Sequence, residues 1–292
     1  MIKNIGFIGL GVMGIHMASH LVKAGNNIHI IKRKSLNTLK FIKKFKSSKT
    51  LYIHDRLDDL SSNCDLIISC VGNDKDLESI YLSKNGIIRG IKKGTFIVDH
   101  TTASYRISKI LYKRFLSKKS FFFDAPMSGG EIGAKKGALS IMVGGNKSKL
   151  HHIDKKLSLY SKSLVYMGKN GSGQLTKMVN QICVAGIIQG LAEGLNFAQN
   201  KNLNIKALIK VIKNGAGQSW QLENRANTMI NNEFNFGFMN KLMLKDLNII
   251  FDEINNSEIK LPVTKLIKNY YIKLIKKGYE KEDTSNLIRL LR

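Results

Sequence analysis

The sequence predicts an α/β domain built on a parallel sheet, followed by an all-α domain. In the first half of the 292 residues, short apolar runs alternate with amphipathic stretches, the pattern of strand–helix–strand units. After residues 168–171 this alternation stops, and only helical patterns follow. The length is also sufficient for roughly two domains that each bury a core.

Seven short apolar runs are predicted strands. They are Asn4–Ile8, Ile28–Ile31, Leu66–Val71, Thr95–Asp99, Phe121–Asp124, Ser140–Val143 and Leu164–Met167. Between the first two, Ile15–Ala24 carries its apolar residues on one helical face. This predicted helix ends at Gly25-Asn26, a helix C-terminal signal.

The second half predicts helices only, so residues 1–168 are expected to form the α/β domain and residues 169–292 the helical domain. The predicted helices are Leu175–Gln199, Ile205–Asn214, Leu222–Met229, Asn240–Asn255, Pro262–Lys276 and Thr284–Leu291. In the first of them, Gly186, Gly190 and Gly194 form a stripe about half a turn away from Lys177. Glycine is costly inside a helix, so we expect another helix to approach this stripe, within the domain or across a dimer interface.

Composition indicates a soluble globular protein. Hydrophobic residues make up 43% of the chain and charged residues 23%. No unbroken apolar run reaches the ~18 residues of a membrane span, so we expect no membrane association. The three cysteines are odd in number and form no C-x-x-C pair, which favours a reducing, cytoplasmic compartment.

The net charge of +26 raises the question of a nucleic-acid partner. Lysine supplies 39 of the 47 basic residues (47 minus 8 arginines), and these lysines are scattered from Lys3 to Lys281. Arginine and aromatic residues do not interleave in one patch, as single-strand binders require. Dispersed charge builds no groove-shaped footprint, so we expect no nucleic-acid partner.

A glycine triplet near the N-terminus predicts a dinucleotide site in a Rossmann-type domain. It has the form Gly-x-Gly-x-x-Gly, with a predicted strand before it and a predicted helix after it. The first glycine permits the tight turn, the second lets the backbone approach a pyrophosphate, and the third lets helix and strand pack closely. The helix N-terminus offers free N–H groups to the phosphates. The predicted contacts are Gly9, Leu10, Gly11, Val12, Met13 and Gly14.

The residues after the second strand predict NADP as the cofactor. A site for NAD carries Asp or Glu there, whereas a site for NADP uses a basic residue for the extra phosphate. This chain carries Lys32-Arg33-Lys34-Ser35 and no acid. Arg33 is the leading phosphate contact and Lys34 a further one. NAD stays possible, because lysine is abundant throughout the chain.

Lys177 is the candidate catalytic residue. Gly173 and Asn180 share its helix face, and the glycine is expected to leave space for a substrate beside the amine. A partly desolvated amine near a positive helix end should have a lowered pKa, as proton uptake from a hydroxyl requires. The alternative is a solvated surface lysine, which the neighbouring glycines and Asn180 disfavour.

Two further segments follow predicted strands, at the edge where open sheets bind ligands. In one of them, Ser128 offers a hydroxyl, and Gly129 and Gly130 offer backbone N–H groups to a small carboxylate. A plain turn is the alternative. In the other, Asp99–Ser104, hydroxyls are placed to reach the nicotinamide ribose or amide.

Several residues are expected to be structural. His100 and the pair His151-His152 lack the spacing of metal ligands with Cys or acidic residues, so we expect no metal. Trp220 is interpreted as a core residue, although it lies in a segment where substrate preference could be set.

Together these motifs resemble the β-hydroxyacid dehydrogenase family, which includes 3-hydroxyisobutyrate dehydrogenase, tartronate semialdehyde reductase and glyoxylate/succinic semialdehyde reductases. The resemblance covers nearly the whole chain. Its motifs are Gly9–Gly14, Asp99–Thr102, Asp124–Gly130, Gly171–Asn180 and Lys245-Asp246-Leu247. It implies a Rossmann domain, an all-helical domain and an active site between them. We expect a homo-dimer or homo-tetramer.

The resemblance also implies roles for single residues. Lys177 corresponds to the catalytic lysine and Asn180 to its polar partner, while Ser128 and Gly129 match the motif for the substrate carboxylate. The expected cofactor contacts are Val71, Thr102, Phe238, in an apolar wall with Phe236 and Gly237, and Lys245, which closes over the nicotinamide end.

The expected reaction is hydride transfer between NADP and a short β-hydroxy acid or its semialdehyde. Position 181 is Gln where some relatives carry a second Asn, so the polar network around Lys177 is expected to differ from theirs. Position 101 is Thr where many relatives carry Ser, a mild change. One rival is a catalytically silent relative that binds nucleic acid or chromatin. Another is an imine reductase, an enzyme class with the same scaffold that usually lacks the lysine found here at position 177. Phosphogluconate dehydrogenase fits less well, because this chain lacks its extended C-terminal region.

Overall fold

The computed structural model describes residues 2–292, and its contacts divide the chain into two units, Met1–Lys177 and Met178–Arg292. The division falls within a long helix. The domain boundary predicted after residue 168 stays a prediction.

A nine-stranded sheet forms the centre of the N-terminal unit. Its strands are β1 (Asn4–Ile8), β2 (Asn27–Ile31), β3 (Leu51–His54), β4 (Leu66–Ser69), β5 (Phe96–Asp99), β6 (Phe121–Asp124), β7 (Met127–Ser128), β8 (Leu139–Gly144) and β9 (Ser161–Gly168). The order is β3-β2-β1-β4-β5-β6-β8-β7, with β9 beside β8. The first six strands are parallel, in the order of a dinucleotide-binding sheet. Because β8 runs antiparallel to β6 and β7, the sheet is mixed rather than wholly parallel.

All seven predicted strands are present, with ends that differ by a few residues, whereas β3 and β7 were not predicted. In β3, Tyr52 and Ile53 are exposed at the edge of the sheet, so the segment has no clear apolar alternation. The two-residue strand β7 is too short to leave a periodic signal.

Helices connect the strands. They are α1 (Gly14–Lys23), α2 (Leu36–Lys44), α3 (Leu57–Ser62), α4 (Asp74–Leu82), α5 (Ile87–Gly90), α6 (Tyr105–Ser117), α7 (Gly130–Lys136) and α8 (Asp154–Leu157), with a 3-10 helix at Lys147–His152. They cover both faces of the sheet, so that every residue of β4 is buried.

The parallel register brings the carboxyl ends of the first six strands to one edge of the sheet. The predicted site segments of this unit lie close to those ends. Gly9 follows β1, Arg33 follows β2, Val71 follows β4 and Thr102 follows β5, while Ser128 lies in the short strand β7, shortly after β6. Ligands bind at this edge in open α/β sheets.

The C-terminal unit is helical. After α9 (Ser172–Asn200), in which the division falls, it contains α10 (Ile205–Ile212), α11 (Trp220–Ile230), α12 (Asn240–Glu253) and α13 (Pro262–Lys276). The last predicted helix, Thr284–Leu291, is instead a 3-10 helix at Thr284–Leu290. Contacts at its start account for this form: Asp283 accepts the amide and the hydroxyl of Ser285, and the Thr284 amide donates to the distant Phe238 carbonyl at 2.8 Å.

Within residues 2–292, no atom lies close to the glycine stripe of α9. A Cβ added at Gly186, Gly190 or Gly194 would meet no neighbouring atom within 4 Å. The expectation that a helix of the same domain covers the stripe is therefore wrong. Each glycine costs about 0.5–1 kcal/mol relative to alanine in a helix, and no contact within the described residues offsets that cost.

By length and composition alone, α9 is the one helix of the described residues that could cross a membrane. The core helix of a soluble protein passes the same test, so this is weak evidence for a span. Of the residues in its most apolar 18-residue window, 39% are buried.

Candidate active site

The glycine triplet forms a tight turn between β1 and α1. Gly9 has φ +96°, and a Cβ there would overlap the Cys70 carbonyl. A Cβ at Gly14 would overlap the Gly9 carbonyl oxygen. Gly11 is exposed, and a Cβ there would meet nothing within 4 Å. Only the first and third glycines are therefore required by the fold itself.

The geometry of this loop fits a pyrophosphate. The first amide of α1 to bond along the helix is that of Ile15, which donates to the Gly11 carbonyl at 3.1 Å. The preceding N–H groups belong to the first turn, where a helix leaves its donors without intrahelical partners. The open space at Gly11 lets a phosphate approach those donors. Of the other predicted contacts, Leu10 is buried, Met13 half-buried and Val12 exposed.

The segment after β2 is cationic and exposed. The Lys32 amide is held by the His54 carbonyl at 2.8 Å, and Ser35 caps α2 by accepting the Thr38 amide. Arg33 and Lys34 lie between these two anchors, and within residues 2–292 neither forms an ion pair. The segment has the charge for a phosphate and no carboxylate for ribose hydroxyls.

The loop after β5 turns most of its hydroxyls inward. Thr101 is buried, and its hydroxyl accepts the Val71 amide at 3.0 Å. The Ser104 hydroxyl donates to Asp74 at 2.5 Å and also caps α6. The expectation that the hydroxyls of this segment face the nicotinamide end is therefore wrong for these two residues. Thr102 is half-buried after β5, and its contact with the cofactor stays a prediction.

Beneath this loop lies a buried carboxylate that the sequence did not single out. Asp99 accepts the Ser69 hydroxyl at 2.6 Å and the Thr101 amide at 3.1 Å. The Tyr81 hydroxyl in turn donates to Ser69 at 2.7 Å. Burial raises the pKa of Asp99 to about 7, although these hydrogen bonds lower it.

A second buried carboxylate, that of Asp124, anchors the start of α9. It accepts the Gly171 amide at 2.7 Å, the Asn170 side-chain amide at 3.0 Å and the Gln174 amide at 3.0 Å. Burial raises the pKa of Asp124 to about 6, and the backbone donors oppose this rise. Asp124 thus satisfies N–H groups that the first turn of α9 leaves open.

Gly173 serves this anchoring rather than the substrate. A Cβ there would lie 2.5 Å from the carbonyl oxygens of Asp124 and Met142. The expectation that Gly173 leaves space beside the amine of Lys177 is therefore wrong. The missing side chain lets α9 begin directly against β6 and β8.

Gln174 ties the helix to the loop that carries Thr102. Its side-chain amide donates to the Thr101 carbonyl at 2.7 Å, and its oxygen accepts the Ala103 amide at 3.1 Å. Gln174 lies three residues before Lys177, on the same helix face. That spacing was the available signal for this residue, and the sequence analysis missed it.

Lys177 lies in the second turn of α9 and is only 8% exposed. A lysine this buried is not a solvated surface charge, so that alternative is wrong. The turn that carries Lys177 is fixed through Asp124 and Gln174 to the ends of β5 and β6. Lysines are rarely buried unless the chain or a ligand uses the amine.

The segment predicted to bind the substrate carboxylate, residues 128–130, forms the turn from β7 into α7. Ser128 is half-buried and pairs with Ser140 of β8. Gly129 and Gly130 are exposed and have φ of +124° and +60°, which favour glycine. These two positions present backbone to solvent at the carboxyl edge, as binding of a small carboxylate would need.

Two contacts join the dinucleotide helix α1 to α7. The His20 Nε2 atom lies 3.1 Å from the Ala134 carbonyl oxygen. The His16 Nε2 atom lies 3.7 Å from Glu131. The helix that follows the glycine triplet and the helix that follows residues 128–129 are therefore neighbours.

In the C-terminal unit, a polar chain begins at Asn180. Its amide donates to Gln181 at 2.8 Å, and Gln181 donates to the buried Asp246 at 2.6 Å. The other oxygen of Asp246 lies 3.1 Å from the Lys245 amine. Gln181 thus connects two predicted site residues, Asn180 and Lys245.

The segment around Phe238 is held by the fully buried Asp283. The Phe238 amide and the Arg225 Nε atom donate to this carboxylate at 2.8 and 3.1 Å. Gly237 has φ +74°, and a Cβ there would overlap the same carboxylate. Phe236 is exposed, with the Arg225 guanidinium 4.8 Å from its ring centroid.

His100 and Trp220 were both expected to be structural, but only His100 is buried. His100 is buried, with its ring nitrogens 2.6 Å from the Ala125 carbonyl and 2.9 Å from the Tyr160 hydroxyl. Trp220 is 46% exposed beside Arg225, so its interpretation as a core residue is wrong. Trp220 is the first residue of α11, directly after the N-cap Ser219, so no preceding turn of the helix lies beside its side chain.

Comparison with known proteins identifies the family. Residues 4–168 match the model of the NAD-binding domain of 6-phosphogluconate dehydrogenase. Residues 171–291 match the NAD-binding model of NADP-dependent 3-hydroxyisobutyrate dehydrogenase. The chain belongs to the β-hydroxyacid dehydrogenase family. An uncharacterized oxidoreductase of Shewanella frigidimarina is 40% identical over 99% of this chain and 98% of its own. The 2-hydroxy-3-oxopropionate reductase of Escherichia coli is 32% identical over 99% and 97%.

Solved structures share the fold. The 3-hydroxyisobutyrate dehydrogenase of Mycobacterium tuberculosis has a TM-score of 0.88 at 24% identity and covers 100% of both chains. An imine reductase from a Pseudomonas species is more distant, with a TM-score of 0.63 at 14% identity over 99% of both chains. The predicted fold class, a Rossmann-type sheet domain followed by a mostly helical region, is confirmed.

Membership of the family establishes a general activity. The chain is an NAD(P)-dependent oxidoreductase of the kind that acts on CH–OH groups, and the family acts on small hydroxy acids. The glycine turn and the cationic segment after β2 are the residues that fit this cofactor.

Proposed function

We propose that this protein interconverts a short β-hydroxy acid and its semialdehyde, with NADP as cofactor and Lys177 as general acid and base. The observation that carries the proposal is the burial of Lys177 in a turn whose backbone is tied to the carboxyl edge of the sheet. No other lysine in the described residues is classed as buried.

In the oxidation direction, the neutral amine of Lys177 takes the proton of the substrate hydroxyl as the carbonyl forms. In the reduction direction, its ammonium returns a proton to the carbonyl oxygen. A bound nicotinamide cofactor would supply the redox chemistry, as the hydride acceptor in its oxidised form and as the hydride donor in its reduced form. Asn180 orients the substrate oxygen as the polar partner of the lysine. Water is excluded by the same burial that desolvates the amine.

The substrate carboxylate is bound by the loop after β6. The Ser128 hydroxyl and the amides of Gly129 and Gly130 donate to its oxygens. Two features support a small acid: the loop is exposed at the carboxyl edge, and the Escherichia coli relative is named for a short hydroxy-oxo acid.

The cofactor is held by three groups of residues. Gly9–Gly14 bind the pyrophosphate, and Arg33 with Lys34 bind the ribose phosphate that distinguishes NADP. Val71, Thr102, Phe238 and Lys245 contact the nicotinamide half. Cationic residues without a carboxylate after β2 support NADP over NAD.

We further propose a cytoplasmic homo-dimer or homo-tetramer. The three free cysteines, with no disulfide in the described residues, support a reducing compartment. Dispersed lysines support a small-molecule partner rather than nucleic acid.

The test is a turnover screen of the full-length chain against short β-hydroxy acids and semialdehydes. Absorbance at the nicotinamide band follows the reaction with NADPH or NADH, and with NADP or NAD. We expect turnover of at least one such pair, with a lower KM for NADPH than for NADH. Short α-hydroxy acids of equal length serve as the matched control.

Three outcomes would contradict the proposal or part of it. Turnover of cyclic imines without turnover of any semialdehyde would support an imine reductase. Absence of all turnover, together with a DNA mobility shift that falls steeply with salt, would support the silent nucleic-acid binder. A clear preference for NADH would reject the assignment of Arg33.

A further inference from the structure

A small cavity lies in the C-terminal unit, where three elements end. Its lining comes from the residues after α11, the end of α13 and the end of the 3-10 helix at Thr284–Leu290, and its volume is about 250 Å³. Pockets for drug-sized ligands are typically ~300–1,000 Å³. The cavity therefore has room for a small ligand and not for a dinucleotide. No residue assigned above to substrate or cofactor lines it.

Three cationic side chains line this cavity: Lys277, Arg289 and Arg292. Lysine is dispersed over the whole chain, so one exposed lysine carries no argument, but two of the eight arginines meet here. Within residues 2–292, the one ion pair that any of the three forms joins Arg289 to Glu282, with Nε 3.4 Å from the carboxylate. Positive charge therefore exceeds negative charge around the cavity.

Both guanidinium groups are held in place by their neighbours. That of Arg289 lies 4.9 and 4.8 Å from the ring centroids of Phe234 and Tyr279. That of Arg292 donates to the side-chain oxygen of Gln199 at 2.7 Å. A guanidinium group carries five N–H donors in a planar fork, so both groups keep donors for a ligand. The two forks are thus positioned before any ligand arrives.

Two observations indicate that these cations lack a partner of opposite charge. The Arg289 Nε atom is buried and, although Glu282 is near, it forms no hydrogen bond in the described part of the chain. A buried donor without an acceptor is costly. Burial and, second, the charge of Arg289 lower the pKa of Arg292. An anion bound beside both guanidinium groups would meet both needs.

The charge balance favours phosphate over carboxylate. Three cations have one carboxylate at ion-pair distance, which leaves two positive charges. A phosphate monoester carries about −1.5 to −2 at pH 7, and arginine binds its oxygens bidentately. Leu274 and Leu290 give the same cavity an apolar side. We propose that this cavity binds a phosphate group, either as inorganic phosphate or as the ester of a short carbon chain.

The phosphate site is separate from the proposed dehydrogenase chemistry. It uses no residue proposed for proton transfer, substrate binding or cofactor binding. Turnover of semialdehydes and binding of phosphate are measured separately, so failure of one leaves the other standing.

Isothermal titration of the full-length protein with inorganic phosphate, in chloride buffer of constant ionic strength, tests the site. We expect saturable binding to the wild type. Lys277→Gln removes one cation and should weaken binding at least ~10-fold, whereas Lys277→Arg keeps the charge and should retain binding. Lys276→Gln is the matched control: this exposed lysine ends α13, and its loss should change the affinity less than ~2-fold.

Chemical modification of the wild type locates the bound phosphate without any variant. Lys276 and Lys277 are both exposed, so both react with an acetylating reagent, and mass spectrometry follows each rate. Phosphate should slow acetylation of Lys277 several-fold and leave that of Lys276 unchanged. Propyl phosphate distinguishes the two sources: tighter binding than inorganic phosphate indicates an ester, and equal or weaker binding indicates the free ion.

The proposal is overturned if the wild type shows no saturable phosphate binding, or if Lys276→Gln weakens binding as much as Lys277→Gln. Equal protection of both lysines from acetylation would overturn it too. Binding that Arg33→Gln abolishes and Lys277→Gln retains would have the same consequence, because the anion would then occupy the predicted cofactor site.

Discussion

At the scale of single residues, two buried carboxylates, those of Asp99 and Asp124, support the candidate site that contains Lys177. Asp99 fixes the loop that carries Thr102, and Asp124 fixes the turn that leads to Lys177. Neither has an ion pair within residues 2–292, so burial disfavours their charged forms. The two strand ends are neighbours in register, and the charge of Asp124 raises the pKa of Asp99 further.

These shifts predict how stability depends on pH. The pKa of Asp99 is about 7 in the folded protein and 3.8 at its ordinary value. Between these values the folded state holds a proton that the unfolded state has released. The contribution of Asp99 to the free energy of unfolding should therefore fall as pH rises from about 4 to about 7, whereas burial lowers the pKa of His29 and of His100 to about 4, and these two groups act in the opposite direction. Asp99→Asn should remove the Asp99 contribution, so that the slope of the unfolding free energy against pH becomes more positive by up to ~1.4 kcal/mol per pH unit.

Urea unfolding at several pH values across this window measures the slope. Asp55→Asn, at an exposed aspartate, is the matched control and should retain the wild-type slope. An unchanged slope in Asp99→Asn would refute the role of Asp99.

At the scale of elements, the loop that contains Phe238 depends on one buried ion pair. Asp283 is fully buried, and its partner Arg225 has a side chain only 11% exposed. Asp283→Asn removes the charge opposite Arg225 and replaces one of the two acceptor oxygens with an NH2 donor, so that either the Phe238 amide or the Arg225 and Ser285 donors lose their acceptor. Breaking a buried pair in this way should lower the free energy of unfolding by about 3 kcal/mol.

Chemical denaturation of Asp283→Asn measures this loss. Asp252→Asn, at an exposed aspartate of the same unit, is the matched variant, and its effect should stay within ~0.5 kcal/mol. A loss of less than about 1 kcal/mol for Asp283→Asn would show that the carboxylate does not hold the loop.

Elements with strong periodicity were predictable from the sequence. The strands that carry the site and the long helix α9 follow from buried apolar runs and their spacing. The edge strand β3 and the final 3-10 helix were not, because their form depends on partners distant in sequence. For Thr284–Leu290 those partners are Phe238 and Arg225, which only the folded chain brings to Asp283.

At the scale of the whole molecule, the family and the order of motifs were predictable, whereas the local roles of some residues were not. Gly173 was expected to leave room for a substrate, but it lets α9 begin against carbonyl oxygens of β6 and β8. Gln174 lies in the motif Gly171–Asn180, yet its hydrogen bonds to the loop after β5 join it to residues 71 and 73 positions away in the sequence. Contacts of that range leave no periodic signal in the sequence.

The proposed function depends on Lys177 as the group that moves the substrate proton. The most direct measurement is the kcat of Lys177→Ala beside that of Lys169→Ala, an exposed lysine before the same helix, with nicotinamide fluorescence to follow NADPH binding. We predict a fall in kcat of about 10²–10⁴-fold for Lys177→Ala, unchanged cofactor affinity, and wild-type rates for Lys169→Ala. A Lys177→Ala enzyme that keeps more than about one per cent of wild-type activity would contradict the claim.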